Sequence, residues 1–341
     1  MKQRCLVIAE AGVNHNGSVE LAHRMVDVAA DAGADFVKFQ TFRAAALVTQ
    51  EAPKADYQKR ESGVAESQYE MLKRLELPKA AFAELAAYCR SRRIGFLSTP
   101  FDAESAAFLD TLEMPVFKVS SGDLTNTPFL RILAGFGRPI ILSSGMATLA
   151  ELEQGVEVLE ASRLPIEMIT LLHCTTDYPA PPAEVNLRAM HTLRTAFPGA
   201  TIGYSDHTVG IDIPVAAVAL GAQVIEKHFT LDRSQPGPDH SASLEPKELR
   251  EMVASVRRIE LALGDGRKRP TASELPNRAV ARKSVVAISP IQKGELFSCQ
   301  NLAARRPGTG LPPIYLEALI GQSATRDYQR DEVLEFRLTP P

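Results

Sequence analysis

Two stretches, IGYSDHTVG at 202–210 and VIEKHFTLD at 224–232, each run from a short apolar segment into polar residues, and each carries a histidine, His207 and His228. Two imidazoles at matching points on successive segments can share one cation. They are too few for structural zinc, which is usually held by four protein ligands, so the spacing predicts an open, exchangeable site. Mn²⁺ suits such a shell, with water and substrate oxygens completing it; Zn²⁺, Co²⁺ and Mg²⁺ are the alternatives. The competing reading is a pair of hydrogen-bonded core histidines. Lys38 and Lys118 each interrupt an apolar segment, FVKFQ and VFKVSS. A lysine buried there needs a counter-charge, supplied either by an anionic ligand or by structural ion pairs with Glu10 and Glu226. Thr99, Ser121, Ser143 and Ser205 fall at the ends of similar segments. Hydroxyls and ammoniums together suit phosphate plus carboxylate, although any one serine also reads as a helix cap.

These groups meet only if their segments are neighbours. From residue 5 to about 264 the chain alternates β-branched runs with helical patterns, the signature of a parallel sheet. The strands are expected at 6–10, 36–40, 94–99, 116–121, 139–144, 168–174, 201–205 and 223–229. Between the first two, Leu21, Met25 and Ala29 recur at helical spacing and Gly33 supplies a stop. Eight strand and helix pairs over roughly 250 residues match an α/β fold of the (β/α)8 TIM-barrel type, whose functional groups sit at the C-terminal ends of the strands. A doubly wound sheet would call for a nucleotide fingerprint, and no GxGxxG or GxxxxGK[ST] occurs. Strand alternation puts Glu226 with His228, Ser205 with His207, and Lys38 with Gln40 on shared faces. The expected organisation is a barrel over 1–265, a charged, Gly- and Pro-rich linker over 266–282, and a small β-rich domain over 283–341.

A net charge of −3 gives no basic field for nucleic acid. The N-terminal apolar run breaks at Glu10, too early for a signal segment or a membrane span. Cys5, Cys89, Cys174 and Cys299 form no CxxC pair and read as reduced thiols of a cytoplasmic protein.

The motifs IAEAGVNHNG, GADFVKFQTF, FLSTPFD, FKVSSGD, ILSSGM, LLHCTTDYP, IGYSDHT, EKHFTLD, GPDHSASLEP and KGELFSCQNLAARRPGTG occur in this order. Over nearly its whole length the chain resembles the sialic acid synthases, the phosphoenolpyruvate-dependent nonulosonate synthases. The resemblance implies a TIM barrel with a C-terminal SAF, or antifreeze-like, domain, in a homodimer where each small domain covers the partner's site. It implies condensation of phosphoenolpyruvate with an N-acyl mannosamine-type sugar to a nine-carbon α-keto acid and phosphate. By motif, His207 and His228 would hold the metal, and Lys38, Thr99, Lys118, Ser121, Ser143, Thr176 and Ser205 would bind phosphoenolpyruvate. Gln40, Asp123, Tyr178, Asp239 and Arg306 would contact the sugar, Arg306 from across the dimer, and Glu10 or Glu226 would activate water. Thr176 and Asp123 depart from the Asn and Glu of some members, which leaves sugar detail open. N-acetylmannosamine, giving N-acetylneuraminate, is the first expectation; its 6-phosphate and the 2,4-diacetamido-trideoxy precursor of legionaminic acid are the others. A barrel metallohydrolase would want more metal ligands than the first strand, IAEAG, offers. A carbohydrate-binding module built on the small domain would leave the charged barrel mouth unexplained.

Overall fold

The structure is a computed structural model that describes residues 4–56, 58, 59 and 66–335. Its chain divides into two compact units, at Gly264 and Asp265. In the first, eight strands run parallel: β1 (Leu6–Gly12), β2 (Phe36–Thr41), β3 (Gly95–Pro100), β4 (Phe117–Val119), β5 (Ile140–Ser143), β6 (Ile169–Cys174), β7 (Thr201–Asp206) and β8 (Val224–His228). The hydrogen-bonded order is β3-β2-β1-β8-β7-β6-β5-β4, and β3 lies beside β4 to close the circle. This is a (β/α)8 barrel of the expected class. The helix at Val19–Ala32 starts on a Ser18 cap and stops at Gly33, whose φ of 80° lies in the left-handed region.

Parity along the strands explains both the core and the site. Outward residues such as Val7, Ala9, Val37, Phe39 and Phe117 pack in the main apolar layer with the helices. Inward residues begin as an apolar floor of Ile8, Leu97, Ile141, Leu172 and Val224, with Phe36 and Val116 against it. Two residues further along each strand the inward position becomes Glu10, Thr99, Ser143, Cys174, Glu226, Lys38 and Lys118, all buried. The floor excludes water from below, so these polar groups face one opening. On β7 the floor position is Gly203, where a Cβ would come within 2.5 Å of the Val224 carbonyl oxygen and 2.6 Å of a Leu172 methyl. Its neighbours fill that space, and glycine alone lets β7 lie close enough to raise Ser205 and His207 into the mouth.

In the second unit β9 (Ser284–Ala287) and β10 (Leu302–Arg305) pair antiparallel. Val285, Ala287, Ile291, Phe297, Leu302, Leu311, Ala324 and Leu334 form its own small core. The stretch expected as a linker contains a helix at Glu274–Ala281. Its Thr271 and Glu274 make an N-terminal hydrogen-bonded start that the local charge and proline content obscured. Among the described residues no helix is long and apolar enough to cross a membrane.

Candidate active site

The C-terminal mouth of the barrel holds a narrow cleft with a cavity volume of ≈ 60 Å³, lined by the second inward tier and by Gln40, Phe101, Ser120, Ser121, Tyr178, His207 and His228. Four charges lie at its base. Lys38 Nζ is 2.7 Å from Glu10 Oε2 and 3.6 Å from Glu226 Oε2, and it donates to Thr99 Oγ1 at 3.1 Å. Lys118 Nζ is 3.6 Å from Glu226 Oε1 and donates to Ser143 Oγ at 2.7 Å. Ser205 Oγ donates to Glu226 Oε1 at 2.9 Å, and Gln40 Nε2 donates to Glu10 Oε1 at 3.3 Å. The ion-pair reading of the lysines therefore holds. Both lysines nonetheless line the cleft.

The two carboxylates differ. Burial pushes the Glu10 carboxyl up to about 7 against the pull of Lys38, with Glu226 adding to the rise. Burial acts on Glu226 in the same sense, but Lys118, Lys38 and the Ser205 hydroxyl outweigh it and hold that carboxyl below its ordinary range. Burial alone would lower Lys38, yet Glu10 and Glu226 raise it, whereas burial prevails at Lys118 and lowers it. Glu226 is thus a fixed anion and Glu10 a group able to exchange a proton near neutrality.

Above this tier the imidazole centroids of His207 and His228 are 5.3 Å apart, and the Tyr178 ring lies 4.0 Å from that of His207, tilted by 33°. Burial depresses both histidines, His207 to about 4 and His228 well below the usual imidazole range, so both are neutral at pH 7. His207 Nδ1 lies 2.5 Å from the Thr175 carbonyl oxygen, which makes that nitrogen the N–H donor and leaves Nε2 with a free lone pair. His228 Nδ1 is buried without a hydrogen bond; Asp239 Oδ2, at 3.9 Å, is too far for one. Burial raises the Asp239 carboxyl to about 6, with Lys38 opposing. The Glu10 and Glu226 Oε2 atoms face the Lys38 ammonium, so of the site's buried atoms it is His228 Nδ1 that stands without a close partner. Native interiors rarely leave such a group unmatched, so this nitrogen marks a place completed by a ligand. No group of three or more His, Cys, Asp or Glu among the described residues is arranged to hold a metal ion. Two neutral imidazoles, one with its tautomer set by a carbonyl and one with an orphaned nitrogen, fit a cation that takes its remaining ligands from solution.

The structure gathers Glu10, Lys38, Gln40, Thr99, Lys118, Ser121, Ser143, Tyr178, Ser205, His207, Glu226 and His228 around one cleft, with Asp239 beside His228. Thr176 is exposed at the rim, its Oγ1 close to Gly145, where a Cβ would come within 2.8 Å of it. Asp123 is half-buried on the turn after β4 and accepts from Asn126 Nδ2 at 3.1 Å; it does not line the cleft. Arg306 belongs to the second unit, exposed, with Nε donating to the Ala281 carbonyl at 3.0 Å. Residue-type reasoning passed over Phe101, Ser120 and Cys174. Inward parity from Leu97, Val116 and Leu172 would have found these three. Asn14 Nδ2 donates to the Phe229 carbonyl and to Ser243 Oγ, both at 2.9 Å, and Ser243 Oγ donates to the Asp239 carbonyl at 2.6 Å. It thereby ties the loops that follow β1 and β8.

A family model described as the NeuB family matches residues 25–268, and one described as the SAF domain matches residues 282–336. The chain belongs to the NeuB family. An N,N'-diacetyllegionaminic acid synthase of Campylobacter jejuni is 49% identical over 332 residues, 97% of this chain and 99% of that one. A second protein of that name, from Legionella pneumophila, is 44% identical over 319 residues, covering 93% of this chain and 89% of its own. The crystal structure of an N-acetylneuraminic acid (sialic acid) synthetase from Leptospira borgpetersenii, in complex with citrate, is 37% identical with a TM-score of 0.70. That match covers 80% of this chain and 90% of the other. This NeuB-family chain is an enzyme of the sialic acid synthase type, built as a barrel followed by an SAF domain.

Proposed function

We propose that the enzyme condenses phosphoenolpyruvate with a 2,4-diacetamido-2,4,6-trideoxymannose-type sugar, giving N,N'-diacetyllegionaminate and inorganic phosphate. The observation that carries the reaction class is the tier of two buried lysines and two unequal carboxylates beneath two neutral imidazoles. The choice of sugar is supported by the two relatives named for that product, at 49% and 44% identity. The sialic acid synthetase likeness at 37% keeps N-acetylmannosamine as the second reading.

In this reading Lys38 and Lys118, with Thr99, Ser143 and Ser205 beside them and Ser121 and Thr176 at the rim, hold the phosphate and carboxylate of phosphoenolpyruvate. His207 and His228 hold a divalent cation, for which Mn²⁺ suits two nitrogens plus oxygens. When bound, that cation supplies a Lewis acid for the sugar's aldehyde oxygen. The C3 carbon of the enol forms the new bond to the aldehyde carbon, leaving an alkoxide on the sugar and a cationic C2. Glu226, held ionised, stabilises positive charge developing at C2. Water adds at C2, and its proton passes to Glu10, whose carboxyl is poised near neutrality. The C2–O bond to phosphate then breaks, the phosphate departs with the bridging oxygen and takes the C2 hydroxyl proton as the keto group forms, and the proton held by Glu10 passes on to the sugar alkoxide. Gln40, Tyr178, Asp239 and Asp123 are assigned to the sugar side. Arg306 of the partner subunit is assigned to an acyl group, in a homodimer that sedimentation and an Arg306→Ala variant would test.

A phosphate-release panel with Mn²⁺, phosphoenolpyruvate and each of N-acetylmannosamine, its 6-phosphate and the diacetamido-trideoxy sugar, read by product mass, decides the acceptor. The diacetamido sugar is expected to give the highest kcat/KM. Release that is independent of any sugar would overturn the condensation reading.

A further inference from the structure

The last rung of the β7–β8 ladder is the pair Asp206 and Lys227; beyond it the two strands no longer pair. His207 and His228 are each the next residue, so no shared backbone hydrogen bond sets the distance between their rings. The side chains of that last rung point the other way, into the layer between barrel and helices, and both are 0% exposed. Lys227 Nζ is 2.6 Å from Asp206 Oδ2 and also donates to the Thr208 carbonyl. The Asp206 carboxylate further accepts from Tyr204 Oη at 2.8 Å, from Thr208 N at 3.2 Å and from Thr208 Oγ1 at 3.0 Å. Both residues flanking His207 are thereby fastened to the residue that precedes His228.

A fully buried ion pair is not a source of net stability, because desolvating two charges offsets their attraction, and an apolar pair of similar shape is often as stable. Placing one at this rung therefore calls for a use other than holding the fold. We propose that Asp206 and Lys227 are positioning residues that clamp the ends of β7 and β8, so that the two imidazoles meet at the spacing a shared cation requires. The inference rests on the metal reading of His207 and His228. Neither residue touches substrate; Lys38 and Lys118 sit on other strands, and Ser205, assigned to phosphoenolpyruvate on β7, is held by its own paired rung with Glu226, so phosphoenolpyruvate binding depends little on the clamp.

The test is the full-length enzyme carrying Asp206→Asn with Lys227→Met, which removes both charges and keeps the side-chain shapes. Asp206→Asn with Lys227→Gln, which also leaves no lone buried charge, is read in the same way should the first pair not fold. Thermal unfolding confirms the fold, and titration of Mn²⁺ followed by electron paramagnetic resonance reads affinity for the ion itself. The variant is expected to melt close to the parent and to bind Mn²⁺ about 10- to 100-fold more weakly, the range seen when outer partners of metal-holding residues are lost. Its kcat should fall while the KM for phosphoenolpyruvate stays within roughly twofold. A folded variant with unchanged Mn²⁺ affinity and kcat would overturn the clamp. Parent and His228→Ala proteins titrated in parallel separate the two readings: equal Mn²⁺ binding in those two sinks the metal assignment alone. The clamp is then read from the His207 Nδ1–H proton resonance of the metal-free protein. Loss or displacement of that signal in the variant supports the clamp, and an unchanged signal rejects it.

Discussion

Replacing Lys38 with Met separates what this side chain does for the fold from what it does for the site. Lys38 is buried and lies 2.7 Å from Glu10 and 3.6 Å from Glu226. Removing one partner of a buried pair leaves the other charge uncompensated, at a cost of about 3–5 kcal/mol. For a unit of this size 1 kcal/mol shifts Tm by about 2–4 °C, so Lys38→Met is expected to melt about 6–20 °C lower at pH 7. The loss should be pH-dependent. Glu10 already has a folded pKa of about 7, above its ordinary 4.5, so the folded state binds the extra proton between those values. Without Lys38 that folded pKa rises further, and stability is greatest at low pH and declines as pH rises through it. Adding Glu10→Gln removes the uncompensated charge and should recover at least half of the lost Tm at pH 7, while phosphate release remains impaired because the ammonium is still missing. Differential scanning calorimetry of the parent, single and double variants between pH 5.5 and 8 reads all of this. A Lys38→Met protein melting within about 2 °C of the parent at pH 7 would refute the reasoning.

Three further outcomes follow from other parts of the barrel. His15 is 1% exposed, and burial, helped by His240, lowers it to about 4 from 6.5. The unfolded chain therefore binds one more proton between those values, so stability is lost as pH falls through this window, by up to roughly 3 kcal/mol. A His15→Asn variant, which keeps an acceptor for the Gly17 amide, should show a shallower acid limb in urea midpoints. Gly203→Ala would press a methyl to within 2.5 Å of the Val224 carbonyl oxygen, so a loss of about 1–3 kcal/mol or an insoluble product is expected, against an unchanged midpoint if the floor can yield. Glu10→Gln should remove the ionisation near pH 7 from the pH profile of kcat/KM, whereas a profile that keeps it assigns that proton elsewhere.

Much of the barrel and its mouth was legible from the sequence because inward parity is a strict rule. Once Lys38, Lys118, Glu226 and His228 were set on strands, their facing followed from the period of two. The histidine pair was legible for the same reason, since parallel neighbours in a closed barrel bring equivalent strand ends together. Asp206 and Lys227 escaped notice because outward strand positions are by default apolar, and a charge there looks like an accident until its partner on the next strand is known. The extent of β4 was overestimated: after Val119 the chain turns into a short 3-10 helix at Ser121–Asp123, which carries Asp123 away from the cleft. The helix at Glu274–Ala281 was hidden by composition, because proline and charge near a helix start look like a linker when read locally.

The central claim is that this cleft breaks the C–O bond of phosphoenolpyruvate while joining it to a sugar. Phosphoenolpyruvate labelled with ¹⁸O in its bridging oxygen, incubated with the enzyme, Mn²⁺ and the diacetamido-trideoxy sugar, tests it directly. Mass spectrometry is expected to find the label in the released phosphate and none in the nine-carbon acid. Label retained in the organic product would mean that the P–O bond had broken instead, and would contradict the account.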